Sequence, residues 1–591
     1  MSGLVQISRV LALAAALATG TAQSAELGFV WVESNVGGAS GGHFALSLDD
    51  RVYSYHASDD GLLLLERRTR EHFDFHYATL ENRPLHVAFV ELSPEVFARV
   101  RDGFAAAYLA EQRALTLVED RRENLALLEA LLGDRLGVSA RGAGLLDVRE
   151  SGADEALVLR RELEARLGRD FLQRAIERLE GELRAARLDA VHGDAPLTRY
   201  RERLAERAAL MALRDAVGLD ARAIVPADPT PLSLAEAAGL SRLRERLTDA
   251  VTELLASRRP DRGHALFLAA ARHHVVSGSL VESRLVLLDP LVRDTPALDA
   301  RELASRRAEF EAVAYHTEKV YRAERTRLRD LGPDARGYQR LEEWAARSAE
   351  YRAALAGGRA LYAAVERRPP ERRRLLATIA TATPRGELRE SLAAARMRVR
   401  AARDALRDVR GYDLVRRNCA TDVIATLNRA LGGTQAAREA LGGALEPGEG
   451  LGFVPFVLFE QVRERLAVTR VERVPSYRER RLRARHDRSI VGRLREATTL
   501  TSTIYRPRPG DTSFLLFTDD LFWARPAFGL VNLGWALGNG LAGVVTGPLD
   551  GGSRLERGLF GALFSLPELA WINVRKGSFD ASTLASDDGG R

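Results

Sequence analysis

A β-hairpin is predicted by the sequence Gly41-Gly42-His43-Phe44-Ala45-Leu46-Ser47-Leu48-Asp49-Asp50-Arg51-Val52-Tyr53-Ser54-Tyr55-His56, in which two alternating strands flank a short polar turn. If Asp49 and Asp50 form the loop, counting outward along both strands places His43 directly opposite His56. Opposed residues share one face of a hairpin, so the two imidazoles are expected to be neighbours. A three-residue loop would instead oppose His43 to Ala57, and two surface histidines without a role are the plainer alternative.

The predicted register sorts the other hairpin residues into two unlike faces. Small or polar side chains share the face of the two histidines, namely Ala45, Ser47, Val52 and Ser54. Large apolar side chains share the other face, namely Phe44, Leu46, Tyr53 and Tyr55. This asymmetry favours a functional site on the first face and a hydrophobic core on the second.

The chain contains a single cysteine, Cys419, which cannot form an internal disulfide. It follows Asn418, a residue type that caps helix N-termini, and it precedes an apolar stripe and a glycine pair that can end a helix. These helix signals are Val423, Ile424, Leu427, Leu431 and Gly432-Gly433. A thiol in the first turn feels the positive end of the helix dipole, so the sequence predicts a nucleophilic Cys419 with a pKa below about 8.5. The alternative is an inert residue of the core.

At these residues the chain resembles the circularly permuted papain-like (NlpC-like) superfamily, which includes the lecithin:retinol acyltransferase-like proteins. There a histidine strand comes first and an Asn-Cys helix comes last, as in Gly-Gly-His43-Phe-Ala-Leu, His56, and Asn418-Cys419 preceded by Tyr412. The resemblance implies Cys419 as nucleophile, His43 as its base and His56 as the polar group that orients the base. The exported Lnb N-terminal periplasmic domain group is also similar, although the motif around His43 differs there.

The resemblance covers residues 28–92 and 405–465, and it departs from the superfamily in the long helical insertion between them. The expected fold is α+β, with a small papain-like sheet domain interrupted by that insertion. A likeness of this extent transfers a fold more safely than a substrate.

The chemistry of the matched residues agrees with acyl transfer. A thiolate at a helix N-terminus attacks a carbonyl, a histidine carries the proton, and amides of the first turn hold the oxyanion. Asn418 or Tyr412 is a candidate for an additional donor. No metal or other cofactor is expected, because His273-His274 and His316 lack metal-ligand spacing.

Composition predicts five segments. A signal peptide is expected at 1–25, because Arg9 precedes an apolar run that is too short to span a bilayer. The others are the histidine half of the papain-like domain at 26–93, a helical insertion at 94–410, the cysteine-helix half at 411–465 and an apolar module at 466–591, for which membrane association is one of two interpretations. Apolar residues three and four apart make the insertion a series of helices, arranged most simply as long antiparallel hairpins. A spacer without chemistry is the plainer interpretation of the insertion.

The net charge of +6 does not indicate a nucleic-acid partner. Acidic residues nearly match the basic ones and are interleaved with them, and no basic run alternates with stacking aromatics. Solvated helix faces explain the pattern better.

The C-terminal segment 526–549 has no charged residue and contains six glycines. Glycines at a spacing of four are typical of close-packed helices and of re-entrant membrane segments. Pro548, Asn532 and Asn539 weaken a spanning helix and favour a buried hairpin of a soluble domain. Tryptophans and arginines on either side favour a membrane surface instead.

The sequence therefore predicts an exported, periplasmic cysteine hydrolase or acyltransferase that acts on an amide or ester bond. Cell-wall peptide is the leading substrate class, because exported members of the superfamily it resembles usually cleave it. A lipid-linked substrate, such as a lipid ester or a lipoprotein acyl group at the membrane, is the second. A non-enzymatic helical envelope scaffold with a buried cysteine is the competing class.

Overall fold

The structure is a computed structural model. It describes residues 25–33, 42–151, 153–189, 191, 193–226, 228–257, 259–291, 293, 296–331, 335–362, 370–446, 450–486, 489–503, 505, 511–518, 522–571, 574 and 576. The predicted signal peptide lies outside the described residues, apart from Ala25, where the first strand begins.

The described chain is of the α+β class, as the sequence predicts. The strands are β1 (Ala25–Val32), β2 (His43–Leu48), β3 (Arg51–Ala57), β4 (Leu63–Thr69), β5 (Leu85–Leu92), β6 (Val138–Arg141), β7 (Leu146–Ser151), β8 (Val217–Leu219), β9 (Arg373–Leu376) and β10 (Val468–Val474). The α-helices are α1 (Arg70–Asp74), α2 (Pro94–Leu132), α3 (Asp154–Leu167), α4 (Phe171–Ala185), α5 (Ala195–Arg214), α6 (Leu234–Ala256), α7 (Arg262–Glu282), α8 (Ala300–Ser305), α9 (Arg307–Leu331), α10 (Ala335–Gly357), α11 (Arg385–Arg410), α12 (Cys419–Leu431), α13 (Thr434–Leu441), α14 (Pro455–Arg465), α15 (Tyr477–His486), α16 (Ile490–Glu496), α17 (Arg525–Asp550) and α18 (Ser553–Ser565). A π-helix spans Phe75–Leu80, and short 3-10 helices span Ala143–Leu145, Ala221–Ala223, Phe522–Ala524 and Pro567–Ala570.

The chain forms two compact units. The sheet unit comprises residues 1–113 and 406–591, and the helical unit comprises 114–405. The predicted insertion begins at residue 94, the first residue of α2, and ends at residue 410, the last residue of α11. The boundaries between the two units fall inside these two helices, so each helix has residues in both units.

The sheet unit is built on a six-stranded antiparallel sheet in the order β10-β5-β1-β2-β3-β4. The outer strand β10 pairs with β5, although the sequence assigns β10 to a separate C-terminal module. The sheet therefore extends beyond the two predicted papain-like halves.

The predicted hairpin register is confirmed. Leu48 pairs with Arg51 across a turn in which Asp49 takes a positive φ of 51°, and the paired residues continue to Ala45 with Ser54. The period-two alternation then puts His43 and His56 on one face.

Each face of the sheet carries its own core. The face of Phe44, Leu46, Tyr53 and Tyr55 packs with the apolar stripe of α12. The opposite face packs with α1 and the π-helix, through the set Val30, Val32, Ala45, Val52, Phe73, Tyr77, Ala78, Leu85, Val87 and Phe89. The histidine face is therefore packed as well, although the sequence predicts a functional site on that face and a hydrophobic core only on the other.

The helical unit has its own hydrophobic cores, one of which is built largely on α4, α5 and α7. Two small two-stranded sheets, β6 with β9 and β7 with β8, join its helices.

The insertion leaves and returns to the sheet unit at neighbouring points, as the predicted interruption of one sheet domain by these helices requires. Near the exit, Glu111 accepts the amide of Leu65 through one carboxylate oxygen. Its other oxygen pairs with Arg410 Nε at the return, 2.8 Å away.

The C-terminal helices α17 and α18 form a closely packed hairpin. Gly540 and Gly558 face each other, and a Cβ atom on Gly558 would lie 2.5 Å from the Cα atom of Gly540. Most large apolar side chains of the pair point away from this contact, including Leu530, Leu541, Val544, Val545, Leu549, Leu559, Leu563 and Leu566. The structure thus differs from the buried hairpin that Pro548 and the two asparagines favour, because glycines and other small residues such as Ala536 fill the interface and leave the larger side chains exposed.

Candidate active site

Cys419 is the first residue of α12, and Asn418 caps the helix as predicted. Asn418 Oδ1 accepts the amides of Ala420 and Thr421 at 2.9 and 3.0 Å. In return, Thr421 Oγ1 accepts the amide of Asn418 at 2.9 Å, which completes a capping box. This reciprocal pair fixes the position of the thiol at the helix start.

The side-chain amide of Asn418 is fully used by the fold. Asn418 Nδ2 donates to the carbonyls of Leu414 at 2.7 Å and Phe453 at 2.9 Å. Both N–H groups are engaged, so neither is free to hold an oxyanion. In this geometry Asn418 holds the loop before Cys419 in place. It has no free N–H group for the role of additional oxyanion donor that the sequence suggested.

Replacement of Asn418 by alanine should lower the free energy of unfolding by about 2–4 kcal/mol, because it removes a helix cap and leaves two carbonyls without their donor. Chemical denaturation measures the change. Asn418→Asp retains the capping oxygen and loses only the N–H donors. Its free energy of unfolding should therefore lie between those of the native protein and Asn418→Ala. An unfolding midpoint of Asn418→Ala equal to that of the native protein would contradict this structural role of Asn418.

The thiol of Cys419 is partly buried against the start of β2. Burial raises its pKa above the ordinary value, while the amides of Phe44 and Ala420 and the charge of Arg83 oppose that rise. The expectation of a low pKa is therefore wrong, because desolvation of the thiolate outweighs the helix terminus. Cys419 is a neutral thiol at neutral pH and requires a base to become a nucleophile.

Alkylation of Cys419 by iodoacetamide should rise with pH and reach its midpoint above about 8.5, the value of a free thiol. The physical reason is the burial that raises its pKa. Rates measured from mildly acidic to alkaline pH, with the protein unfolded in urea as the reference, test this. A native midpoint below the unfolded one would restore the thiolate hypothesis.

The two predicted histidines are brought together. The ring centroids of His43 and His56 lie 4.3 Å apart, and the ring of Tyr77 stacks on His43 at 5.6 Å. The face they occupy is opposite to the one that α12 covers, where Tyr55 Oη and Thr426 Oγ1 are 2.8 Å apart. No hydrogen bond joins the sulfur of Cys419 to either imidazole.

Cys419 nevertheless lies beside the histidine strand. The amide that interacts with the sulfur belongs to Phe44, the residue that follows His43. The backbone pairs between β2 and β3 end at Ala45 and Ser54, before Phe44 is reached. The thiol therefore approaches β2 within one residue of His43, at the open end of the hairpin.

Both imidazoles are held neutral. Burial lowers the pKa of His43 well below its usual range, and the neighbouring His56 and Arg83 lower it further. Burial also lowers the pKa of His56 to about 4, against the opposing charge of Glu66. His56 Nε2 lies 2.9 Å from Ser54 Oγ and 3.7 Å from Glu66 Oε2. A neutral imidazole has the free nitrogen that a base for Cys419 requires, but its lowered pKa makes it a weak base, so a base role requires the pKa of His43 to rise when substrate binds.

Charged residues that the sequence reasoning missed surround the histidines. Glu66 and Arg68 are paired at 2.6 Å, while Glu81 pairs with His76 at 2.9 Å and with Arg83 at 2.8 Å. The alternation of Glu66 and Arg68 on β4 was the available signal, because residues two apart on a strand share a face. The residues of the π-helix and the following loop offered no comparable signal.

Tyr412 is half exposed, and its amide donates to the carbonyl of Gly61 at 2.9 Å. Burial raises the pKa of its phenol, and the nearby Cys419 raises it further. The phenol is thus protonated at neutral pH and near the sulfur. Tyr412 remains a candidate donor beside the thiol.

No cluster of three or more potential metal ligands occurs among the described residues. Comparisons with protein-family models, with curated proteins and with solved structures found no match. The resemblance to papain-like proteins therefore stays a hypothesis based on the residues named above.

Proposed function

We propose that this protein is an exported cysteine-dependent hydrolase or acyltransferase that acts on an amide or ester bond. The observation that carries the proposal is the thiol of Cys419, fixed at a helix N-terminus and within one residue of the neutral His43. The capping box stabilises the helix in either case, whereas the buried pair of neutral imidazoles beside the strand that the sulfur approaches supports a catalytic role. The scaffold alternative leaves that pair unexplained.

In the proposed reaction, Cys419 Sγ attacks the substrate carbonyl while His43 takes the thiol proton. The new S–C bond gives a tetrahedral oxyanion, which the backbone amide of Cys419 can stabilise, because the amides of Ala420 and Thr421 already donate to Asn418 Oδ1. His43 then returns the proton to the leaving amine or alcohol as the C–N or C–O bond breaks. Water or a second acceptor releases the acyl group from the thioester. A movement that brings His43 and the sulfur into contact is required, because no hydrogen bond joins them in this structure; catalytic hydrogen bonds often close only when substrate binds.

Two substrate classes fit this chemistry, cell-wall peptide and a lipid-linked acyl group. The exposed apolar surface of α17 and α18 favours the second. The base of that hairpin lies next to the site: Glu33 accepts Arg83 Nε through its carbonyl at 2.6 Å, and its carboxylate lies 4.0 Å from Arg525, the first residue of α17. An enzyme held by this hairpin would meet lipid-linked substrates at the membrane surface.

Mass spectrometry of the intact protein provides the test. Purified protein is incubated with an activated acyl ester, a short-chain phospholipid and a muropeptide, then quenched in acid to preserve a thioester. A mass increase that maps to Cys419 and disappears with hydroxylamine supports the proposal, and the donor that produces it identifies the substrate class. Failure of all three donors to acylate a thiol that iodoacetamide still labels would favour the scaffold.

A further inference from the structure

The histidine face contains buried nitrogen atoms that lack hydrogen-bond partners. They are His43 Nε2, Arg68 Nη1, His76 Nδ1 and Arg83 Nη2. His43 and Arg83 are themselves only 9 % and 6 % exposed, so water does not readily reach them. Leaving a buried donor unsatisfied is costly, and more so for a charged group. These nitrogens are therefore candidate contacts for a bound ligand.

The two arginines approach the histidines from different elements. Ser54 pairs with Glu66 across β3 and β4, which places Arg68, two residues further along β4, on the same face as the histidines. Arg83 comes from the loop before β5, and its guanidinium carbon lies 5.1 Å from the centroid of the Tyr77 ring that stacks on His43.

Each of the two guanidinium groups is held in place by its other nitrogens, which have hydrogen-bond or ion-pair partners. Arg68 Nη2 pairs with Glu66 at 2.6 Å. Arg83 Nη1 pairs with Glu81 at 2.8 Å, and Arg83 Nε donates to the carbonyl of Glu33 at 2.6 Å. Each arginine thus keeps one terminal N–H group available after its own carboxylate partner has been satisfied. Preorganised guanidinium donors are well suited to carboxylate and phosphate oxygens.

We propose that Arg68 and Arg83 form an anion-binding subsite that holds a carboxylate or phosphate group of the substrate beside His43. The position of this subsite in catalysis rests on the proposed function, whereas the binding itself requires no thiol. A substrate with an anionic group near its scissile carbonyl would be aligned by the arginines. Both cell-wall peptides and phospholipids carry such a group.

The charge of Arg83 is also felt by the thiol of Cys419, which agrees with a location near the reacting atoms. A bound anion would partly neutralise that charge.

Binding is measured by calorimetry on the full-length Cys419→Ser protein, which separates it from turnover. The probes are inorganic phosphate, glycerol 3-phosphate and N-acetylglycine at constant ionic strength. We expect saturable binding of at least one probe, weakened about tenfold or more by Arg68→Gln or Arg83→Gln, because each change removes a charge-assisted hydrogen bond. Glycerol 3-phosphate binding alone would indicate a phospholipid, and N-acetylglycine binding alone a peptide carboxylate.

Arg67→Gln is the matched control. Arg67 neighbours Arg68 on β4 but pairs with Tyr53 on the opposite face, where its guanidinium lies 4.6 Å from the Tyr108 ring centroid. This variant should bind the probes as the parent does. If Arg83→Gln fails to fold, Arg68→Gln and the folded Arg83→Lys variant carry the test.

The subsite is rejected if the parent shows no saturable binding, or if Arg68→Gln binds as tightly as Arg67→Gln. Saturable binding in a protein that never forms a thioester would reject the proposed function and leave the subsite in place. The experiments can therefore reject the subsite and the proposed function independently of each other.

Discussion

Replacement of Cys419 by alanine is expected to abolish acyl transfer, with a loss of activity on the order of 10⁴-fold or more, as found when a covalent nucleophile is removed. The effect is large because the neutral His43 has no substitute thiol from which to take a proton: Cys419 is the only cysteine of the chain. The rate of product release from the donor that acylates the native protein measures the loss.

The fold should survive this change. The cap of α12 uses the side chain of Asn418 and the backbone amides of Ala420 and Thr421, and none of these contacts involves the sulfur. Far-ultraviolet circular dichroism and the unfolding midpoint of Cys419→Ala serve as the control. Thr426→Val, which removes a buried hydroxyl from the same helix, separates loss of packing from loss of the nucleophile. Activity retained by a folded Cys419→Ala protein would contradict a thiol mechanism.

Two arginines introduced on the exposed face of α17 are expected to release the protein from membranes. Leu541 and Val545 are 72 % and 80 % exposed on this helix of 26 residues, which is about 39 Å long at 1.5 Å per residue and sufficient to cross a hydrocarbon core. It is the one helix of the described chain that is long and apolar enough to do so. Each arginine at the centre of a bilayer costs about 2.5–3.5 kcal/mol, so Leu541→Arg with Val545→Arg should weaken association by several orders of magnitude.

Flotation with liposomes after a high-salt wash measures this association. The matched control replaces Leu136 and Val281, which are 95 % and 76 % exposed in the helical unit, with arginine. The control protein should stay with the liposomes. Native protein that remains entirely in the soluble fraction would contradict a membrane role for the hairpin. Cell-wall peptide would then be the favoured substrate class.

Local patterns in the sequence predicted several elements correctly. The alternation on both sides of Asp49 and Asp50 gave the register that brings His43 and His56 together. Asn418 and the apolar stripe after it gave the start and the buried face of α12. These features depend on neighbours within one turn or one hairpin, so residue type and spacing are sufficient to determine them.

Other properties depended on contacts between distant segments. The pKa of Cys419 is raised because α12 is buried against β2, a contact that no local pattern reports. Glycine spacing was equally ambiguous in α17, since it fits a buried interface and a membrane hairpin alike. Only the pairing with α18 decided that Gly540 and Gly543 face inward, whereas a Cβ atom on Gly534, Gly538 or Gly547 would have no neighbour within 4 Å and the larger apolar side chains face outward.

The sequence by itself thus determined the α+β class, the hairpin with its two histidines, and the cysteine at a capped helix start. Only the tertiary structure decided that α12 covers the face opposite to the histidines, and that Arg68 and Arg83 join them. The physical reason is the range of the interactions: backbone periodicity and capping act over a few residues, whereas desolvation and charge pairing depend on which segments the folded chain brings together.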